Sequence, residues 1–406
     1  MSTELLLPAQ PSFVLRGHSA QVHAVHFIQG NTRLLSADSE GWLVSWNLAS
    51  KRPAAVWKAH GNAVLGIGSW GQDRIITHGR DNKLAVWQLG VQDEEAVGKT
   101  LPVDKPPVTT PQPWLLHMLT VNTLNFCSFA MCLDGMPHPD TAHTAIKARK
   151  HPPPILIAVP NTMDSGGIDI YQLPSESRAA VILADRHITT GMVMALEIQT
   201  ESTKLQVVAG YESGHTMAFV QSDPGAQFQR LYCAQPHSQP ILSMSIIPSR
   251  DCYLTSSADA VVAKHPLPAV QGVWKTELKP FKVVQTKHSG QQGLQVRSDG
   301  KIFATAGWDA RVRVYSTKTM KELAVLKWHK AGCYTTAFAE IESCCPTKAE
   351  DDPVKQEDTE AQDDKSILHR SSAVSTVQQR REARAQSTHW LAAGSKDGKI
   401  SLWDIY

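Results

Sequence analysis

One short pattern recurs along this chain and leaves its architecture little freedom. An apolar strand runs into a tight turn carrying an acidic or small polar residue, and a second strand ends in an aromatic six positions after that residue. LLSADSEGWLVSWNL (34–48) and LAAGSKDGKISLWDI (391–405) are the fullest copies. The spacing holds at Glu40/Trp46, Asp81/Trp87, Ser165/Tyr171, Ser213/Phe219, Asp309/Tyr315 and Asp397/Trp403, while Asp259/His265 keeps the turn and loses the aromatic. Successive turn residues lie 41, 84, 48, 46, 50 and 88 positions apart. Units of about 40–45 residues that cannot bury their own apolar face stack on their neighbours, and in WD repeats each unit is a four-stranded blade.

The two doubled intervals contain no further strand–turn–strand of this form. They are read as insertions: residues 101–113 and 133–154 in the third blade, and a charged stretch, 340–388, in the seventh. That leaves seven blades. A chain of 406 residues exceeds what one ordinary core sustains, roughly 250–300 residues, but a repeat adds core unit by unit. The expected fold is all-β, a single seven-bladed WD-repeat β-propeller over residues 1–406. The last blade lacks an outer strand after Trp403, and Ser12–Arg16 can supply it beside Ile400–Asp404, closing the ring without a long free edge.

The residue types at the turns have a physical reason. A His ahead of the unit, a Ser or Thr four before the turn acid, the acid and the Trp can form one hydrogen-bond chain that satisfies groups costly to bury alone. The complete set is His60, Thr77, Asp81 and Trp87. The first blade offers His18, Ser36, Glu40 and Trp46, with Glu in place of Asp. Later sets are partial: His237, Thr255 and Asp259; Thr305 and Asp309 with His288; His329, Asp397 and Trp403. These residues are expected to hold turns. The residue before each turn acid should project from the same rim: Ser39, Arg80, Asp164, Glu212, Ala258, Trp308 and Lys396. Trp308 stands out, since exposed tryptophans concentrate at interface hot spots. Trp308, Arg311 and Arg80 are the candidate partner-binding residues, and the competing reading folds Trp308 back over its own blade.

Composition narrows the function classes. Forty Lys plus Arg against 38 Asp plus Glu give a net charge of +2, which supplies no electrostatic reason to expect direct nucleic-acid or membrane binding. No apolar run approaches the ~20 residues of a membrane span, and MSTELLLPAQPSF lacks the basic leader of a signal peptide. Seven cysteines without a CxxC pair read as reduced thiols, not as a disulfide framework or zinc site.

From the third blade onward the atypical blades resemble the ASTRA-associated WD-repeat family and its animal relatives, the G-protein-β-like WD proteins. The stretches that carry the resemblance are VNTLNFCSFAMC (121–132), ILIAVP (155–160), IDIYQLPS (168–175), GMVMAL (191–196), AGYESG (209–214), HSQPILSMS (237–245), ATAGWDARVRVY (304–315) and LAVLKWH (323–329). The resemblance implies a nuclear, and also cytoplasmic, non-enzymatic subunit of the ASTRA assembly. That assembly works with the cochaperone complex that stabilises phosphatidylinositol-3-kinase-related kinases and is linked to chromatin remodelling. The implied partners are ASTRA and kinase-cochaperone subunits, with no small-molecule substrate and no cofactor.

Other constellations weigh less. His138 and His143 have helix-like metal spacing, but HPDTAH contains Pro139 and no HExxH glutamate. Gly166-Gly167 reads as a hairpin turn, since no helix signal follows it. No GxSxG elbow or Walker pattern is present. The eight carboxylates of Glu350–Asp364, followed by Arg370, Arg380, Arg381 and Arg384, predict residues 346–386 without regular structure apart from a short helix near Val374–Ala385. Val354-Lys355-Gln356-Glu357 fits a SUMO acceptor pattern of low specificity. Against the scaffold reading stands a histone-tail or phosphopeptide reader using the propeller channel, for which Arg311 and Arg313 are on offer but do not recur across blades. A G-protein β subunit would need an N-terminal coiled-coil helix, for which residues 1–12 are too short.

Overall fold

Period-two runs of four to nine residues, punctuated by turn residues such as Gly41, Asn82 and Gly398 at positive φ, set up a succession of antiparallel hairpins. The architecture is seen in a computed structural model that describes residues 9–107, 110–122, 126–135, 152–201, 204–267, 279–341 and 368–405. Seven four-stranded antiparallel sheets form the blades of a β-propeller. The first is β2 (Val22–Ile28), β3 (Arg33–Asp38), β4 (Trp42–Asn47) and β5 (Arg52–Lys58). The second is β6 (Val64–Trp70), β7 (Arg74–Gly79), β8 (Lys83–Gln88) and β9 (Trp114–Thr120), and the third β10 (Ala130–Leu133), β11 (Ile155–Pro160), β12 (Ile168–Leu173) and β13 (Ser177–Ile182). The fourth is β14 (Val193–Glu201), β15 (Lys204–Tyr211), β16 (Thr216–Gln221) and β17 (Gln229–Ala234), and the fifth β18 (Ile241–Ile246), β19 (Cys252–Ser257), β20 (Val261–Pro266) and β21 (Lys282–Gln285). The sixth is β22 (Gln291–Val296), β23 (Ile302–Gly307), β24 (Arg311–Ser316) and β25 (Glu322–Lys327).

The seventh blade draws on both chain ends. Strands β26 (Cys333–Phe338), β27 (Trp390–Ser395) and β28 (Lys399–Asp404) are completed by β1 (Phe13–Arg16), in the register Phe13↔Leu402, Val14↔Ser401, Leu15↔Ile400 and Arg16↔Lys399. Leu15 is fully buried there. Among the described residues the apolar side chains form seven clusters, each bridging one pair of adjacent blades. The ring therefore has no single centre of hydrophobic packing. Each junction is its own core.

Two expectations about the insertions change. Residues 101–113 do not interrupt the third blade. They precede β9, the outermost strand of the second. The segment after Trp87 cannot be that fourth strand, because it is used elsewhere. A 3-10 turn at Val91–Ala96 places Glu94 in a buried two-pronged ion pair with Arg33 (2.8 Å for each bond), and Val56 N–H bonds Gly98 O at 2.6 Å. In the seventh-blade insertion, residues Leu368–Ser387 form a 20-residue helix, α1, longer than the short helix expected near Val374–Ala385. The sequence of α1 contains no Pro or Gly, and its end is anchored. The Trp390 indole donates to Ala385 O (3.0 Å), the Asn31 amide to Gln386 O (3.3 Å) and the Thr388 hydroxyl to Arg384 O (2.6 Å). The acidic run Glu350–Asp364, Lys355, and His138 with His143 lie outside the described residues.

Candidate functional site

The second blade shows what the repeat builds at its rim. His60 Nδ1 lies 2.9 Å from Asp81 Oδ1, Nε2 lies 2.8 Å from Thr77 Oγ1, and the Trp87 indole N–H donates to that hydroxyl at 2.9 Å. An indole can only donate and a carboxylate only accept, so every proton in the chain is assigned: Trp87 to Thr77, Thr77 to His60 Nε2, His60 Nδ1–H to Asp81. Burial lowers the His60 pKa, which keeps the ring neutral. Burial would raise the Asp81 carboxyl, but the Gly61 amide and His60 pull it below its usual range.

The first blade builds the same chain with a different acid. His18 Nδ1 bonds Asp38 Oδ2 at 2.7 Å, Nε2 bonds Ser36 Oγ at 2.7 Å, and Trp46 donates to Ser36 at 2.8 Å. Glu40, named from the six-residue spacing, is exposed and contributes its backbone N–H to Asp38. Two carboxylates compete for one place. In the second blade position 79 is glycine, and a Cβ there would fall 2.3 Å from His60 Nδ1 and 2.6 Å from Asp81 Oδ1. The first blade puts Asp38 at that position, so the turn residue is released to solvent.

Three further blades vary the parts. In the fifth, His237 spans Asp259 (3.2 Å) and Thr255 (2.8 Å), and His265 fills the aromatic position. His265 Nε2 meets Thr255 Oγ1 at 3.0 Å and Nδ1 meets the Tyr232 hydroxyl of the fourth blade at 3.0 Å, while its ring stacks on Tyr253 at 4.8 Å. In the seventh, His329 Nε2 and the Trp403 indole both reach Ser401 Oγ (2.9 and 2.8 Å), with Asp397 3.6 Å from His329 Nδ1. Ser401 is the cross-strand partner of Ala393, which occupies the position of Ser36, Thr77 and Thr255. In the sixth, the expected His288 stays 3.8 Å from Asp309, beyond hydrogen-bond range. Buried Arg313, opposite Thr305 in the sheet, pairs with Asp309 at 2.6 Å instead. Ser401, Arg313, Asp38 and Tyr232 were not read from the sequence as network members, since each supplies its group from a position outside the repeat rule.

These turns surround a concave channel mouth. A cavity of about 520 Å³ opens there with contributions from all seven blades, among them Ser39, Arg80, Phe126, Glu197, Gln292 and Tyr334. Backbone bonds from Ser39, Arg80, Glu212, Ala258, Trp308 and Lys396 N–H to the segments opening the innermost strands repeat around the rim. Arg80 places its guanidinium 4.2 Å from the Phe126 ring centroid, and His23 stacks on Tyr334 at 5.4 Å. Burial, then Arg80, lowers the His23 pKa against the opposing pull of Asp38. Deeper in the channel, His26 and Glu197 line a second space of about 340 Å³. Burial depresses His26 to about 4 and pushes Glu197 up to about 8.

Trp308 is 48% exposed, with its indole donating to Gln292 Oε1 at 2.7 Å and its ring laid over Gly290, where a Cβ would clash at 2.1 Å. It therefore folds back on its own blade and still shows one face to solvent. Arg80 and Trp308, through Gln292, belong to the mouth. Arg311 opens β24 half-buried and is not among the residues lining the cavity. The rim histidines of the first, second and fifth blades, His18, His60 and His237, have both nitrogens engaged, so the arrangement there is suited to displaying a fixed surface.

The chain matches the family described as ASTRA-associated protein 1 over residues 11–403. Similar proteins of that name include one from Verticillium alfalfae, 50% identical over 98% of this chain and 93% of the relative, and one from Penicillium rubens, 47% identical over 100% of this chain and 99% of the relative. One from Schizosaccharomyces pombe is 30% identical over 81% of this chain and 93% of the relative. With a seven-bladed ring closed by both ends and a match covering nearly its whole length, the chain belongs to the ASTRA-associated protein 1 family.

Proposed function

We propose that this protein is a non-enzymatic interaction scaffold, a subunit of an ASTRA assembly acting with kinase-cochaperone subunits. In this reading it helps stabilise phosphatidylinositol-3-kinase-related kinases, takes part in chromatin remodelling, and works in the nucleus and the cytoplasm. Its partners are other protein subunits, with no direct nucleic-acid, membrane or small-molecule ligand and no cofactor. The observation that carries the scaffold reading is the channel mouth, where Arg80 and Tyr334 line one concavity and the half-exposed Trp308 bonds its lining residue Gln292. The test is purification of tagged wild type and Trp308→Ala from cells. The variant should stay folded and weaken partner binding by about 2 kcal/mol or more, the range of an aromatic hot spot. Undiminished partners on a folded Trp308→Ala protein would move the working surface elsewhere. Depletion should lower steady-state levels of the large kinases, and unchanged levels would count against that role.

A second reading has its own support. Arg80 over Phe126 beside the stacked His23–Tyr334 pair could receive a histone tail or phosphopeptide at the channel. One guanidinium is a sparse phosphate site compared with the clustered Arg of dedicated readers. Titration of labelled phosphopeptide and histone-tail peptides separates the readings, since saturable binding lost in Arg80→Ala favours the reader.

A further inference from the structure

The outer edge of a sheet presents a row of unpaired backbone groups, and soluble proteins protect such edges with charge, proline or a covering segment. Six of the seven outermost strands here conform. Strand β5 carries Arg52, Pro53 and Lys58 and is met by Gly98; β13 carries Arg178, β17 Arg230, β21 Lys282, β25 Glu322 and Lys327, and β1 Arg16. Strand β9, WLLHMLT, has no charge or proline, and among the described residues no segment covers it. It lies in a charge-free run: residues 106–133 contain no Asp, Glu, Lys or Arg. Its outer side pairs with no other described strand. Trp114 is 75% exposed, with Leu115 and Met118 also open to solvent, whereas the remaining outermost strands each show at most one exposed large apolar side chain. The strand is nevertheless well held on its inner side. Leu119 is buried in the second–third blade junction, and His117 meets Glu176 at 2.7 Å.

We propose that β9 is a docking edge, completed by an uncharged, apolar, extended segment of a partner protein that adds to the second blade as a fifth strand. Neutrality argues for that occupant, because a charged strand would lose solvation against Trp114, Leu115 and Met118 and find no counter-charge in 106–133. A second copy of this chain is a poorer occupant. Two seven-residue strands bury far less than the roughly 1,200–2,000 Å² of a stable interface, so β9 needs a partner that makes further contacts. The inference rests on the scaffold reading but concerns a surface other than the channel mouth.

The test compares the full-length chain alone with the complex isolated from cells through a tag on it. Strand addition protects backbone amides, so hydrogen exchange across Trp114–Thr120 should slow at least tenfold in the complex. A photo-crosslinker at position 115 should join a peptide of another subunit without charged residues. Trp114→Lys/Met118→Lys, both at exposed positions, should keep the melting temperature of the isolated chain and reduce recovery of that subunit at least tenfold. Unchanged exchange at 114–120, crosslinks to a second copy of this chain or to a charged segment, or full recovery with the double variant would each overturn the β9 assignment and leave the scaffold reading standing. A wild-type chain that recovers no partner would overturn both.

Discussion

Replacing Asp38 by alanine is the sharpest probe of how the rim is built. Its side chain and that of His18 are both fully shielded from solvent, and the bond between them is 2.7 Å long. Asp38 Oδ1 also accepts the backbone N–H of Glu40 (2.9 Å) and Trp42 (3.1 Å). Removal leaves the His18 Nδ1–H buried without its acceptor and two turn amides unpaired. Such losses run at ~1–3 kcal/mol for the buried group and ~0.5–1.5 for each of the two partly buried bonds, together about 2–6 kcal/mol. Unfolding entropy near 2.1 cal/mol/K per residue converts this to a melting shift of about 2–7 °C for a chain of this size unfolding as one unit. Glu40→Ala, at an exposed position, should stay within about 0.5 kcal/mol of wild type. Differential scanning calorimetry at pH 7 on the two variants decides the matter. Equal losses, or a Glu40→Ala loss larger than that of Asp38→Ala, would refute the assignment of the first-blade acid.

Glu197 sets a pH dependence. Its folded pKa, raised to about 8 by burial, means that the folded state holds the proton more tightly than the unfolded one. This contribution is fully present below the ordinary glutamate range near 4.5 and is lost as pH rises to about 8. Glu197→Gln should therefore be more stable than wild type at pH 8 and flatten the decline in denaturation midpoint between these limits; parallel curves would discount the shift. Deleting residues 1–17 removes β1 and buried Leu15, and should cost at least ~3 kcal/mol while accelerating amide exchange in Lys399–Asp404. Unchanged exchange there would speak against closure. Ser401→Ala should destabilise by about 2–3 kcal/mol, and Ala393→Ser added to it should restore more than half, by returning the hydroxyl to the strand used in the first, second and fifth blades. Failure of the second change to rescue would show that the two positions are not interchangeable.

The blades and their order were legible because turn spacing and period-two patterning are local properties. What escaped the sequence was the exchange of chemical groups between positions that only folding brings together. The spacing rule chose Glu40, although Asp38 at the end of β3 had already filled the space that Gly79 leaves open in the next blade. The hydroxyl missing at Ala393 was present across the ladder at Ser401, and in the sixth blade, where His288 stays 3.8 Å from Asp309, Arg313 from the strand facing Thr305 pairs with the acid instead. The position of residues 101–113 escapes the spacing for a related reason: the chain after Trp87 leaves its own blade to ion-pair with Arg33 before returning as β9. At the channel mouth, Arg80 and Trp308 were visible as turn neighbours. The pairing of Arg80 with Phe126 depends on the turn of the second blade meeting the segment that leads into β10 of the neighbouring third blade.

The pairing of β1 with β28 has a consequence in time. Strand β1 must wait for β28, and at roughly 5–20 residues per second the interval between Arg16 and Asp404 is about 20–80 s. Throughout that interval the apolar side chain of Leu15 and the hydrogen-bonding edge of Phe13–Arg16 have no native partner. Six blades can assemble as they emerge, each on its predecessor, but the seventh cannot close until Lys399–Asp404 has been made. A nascent chain of this protein is therefore an open arc, whose two ends need protection from other strands until they find each other.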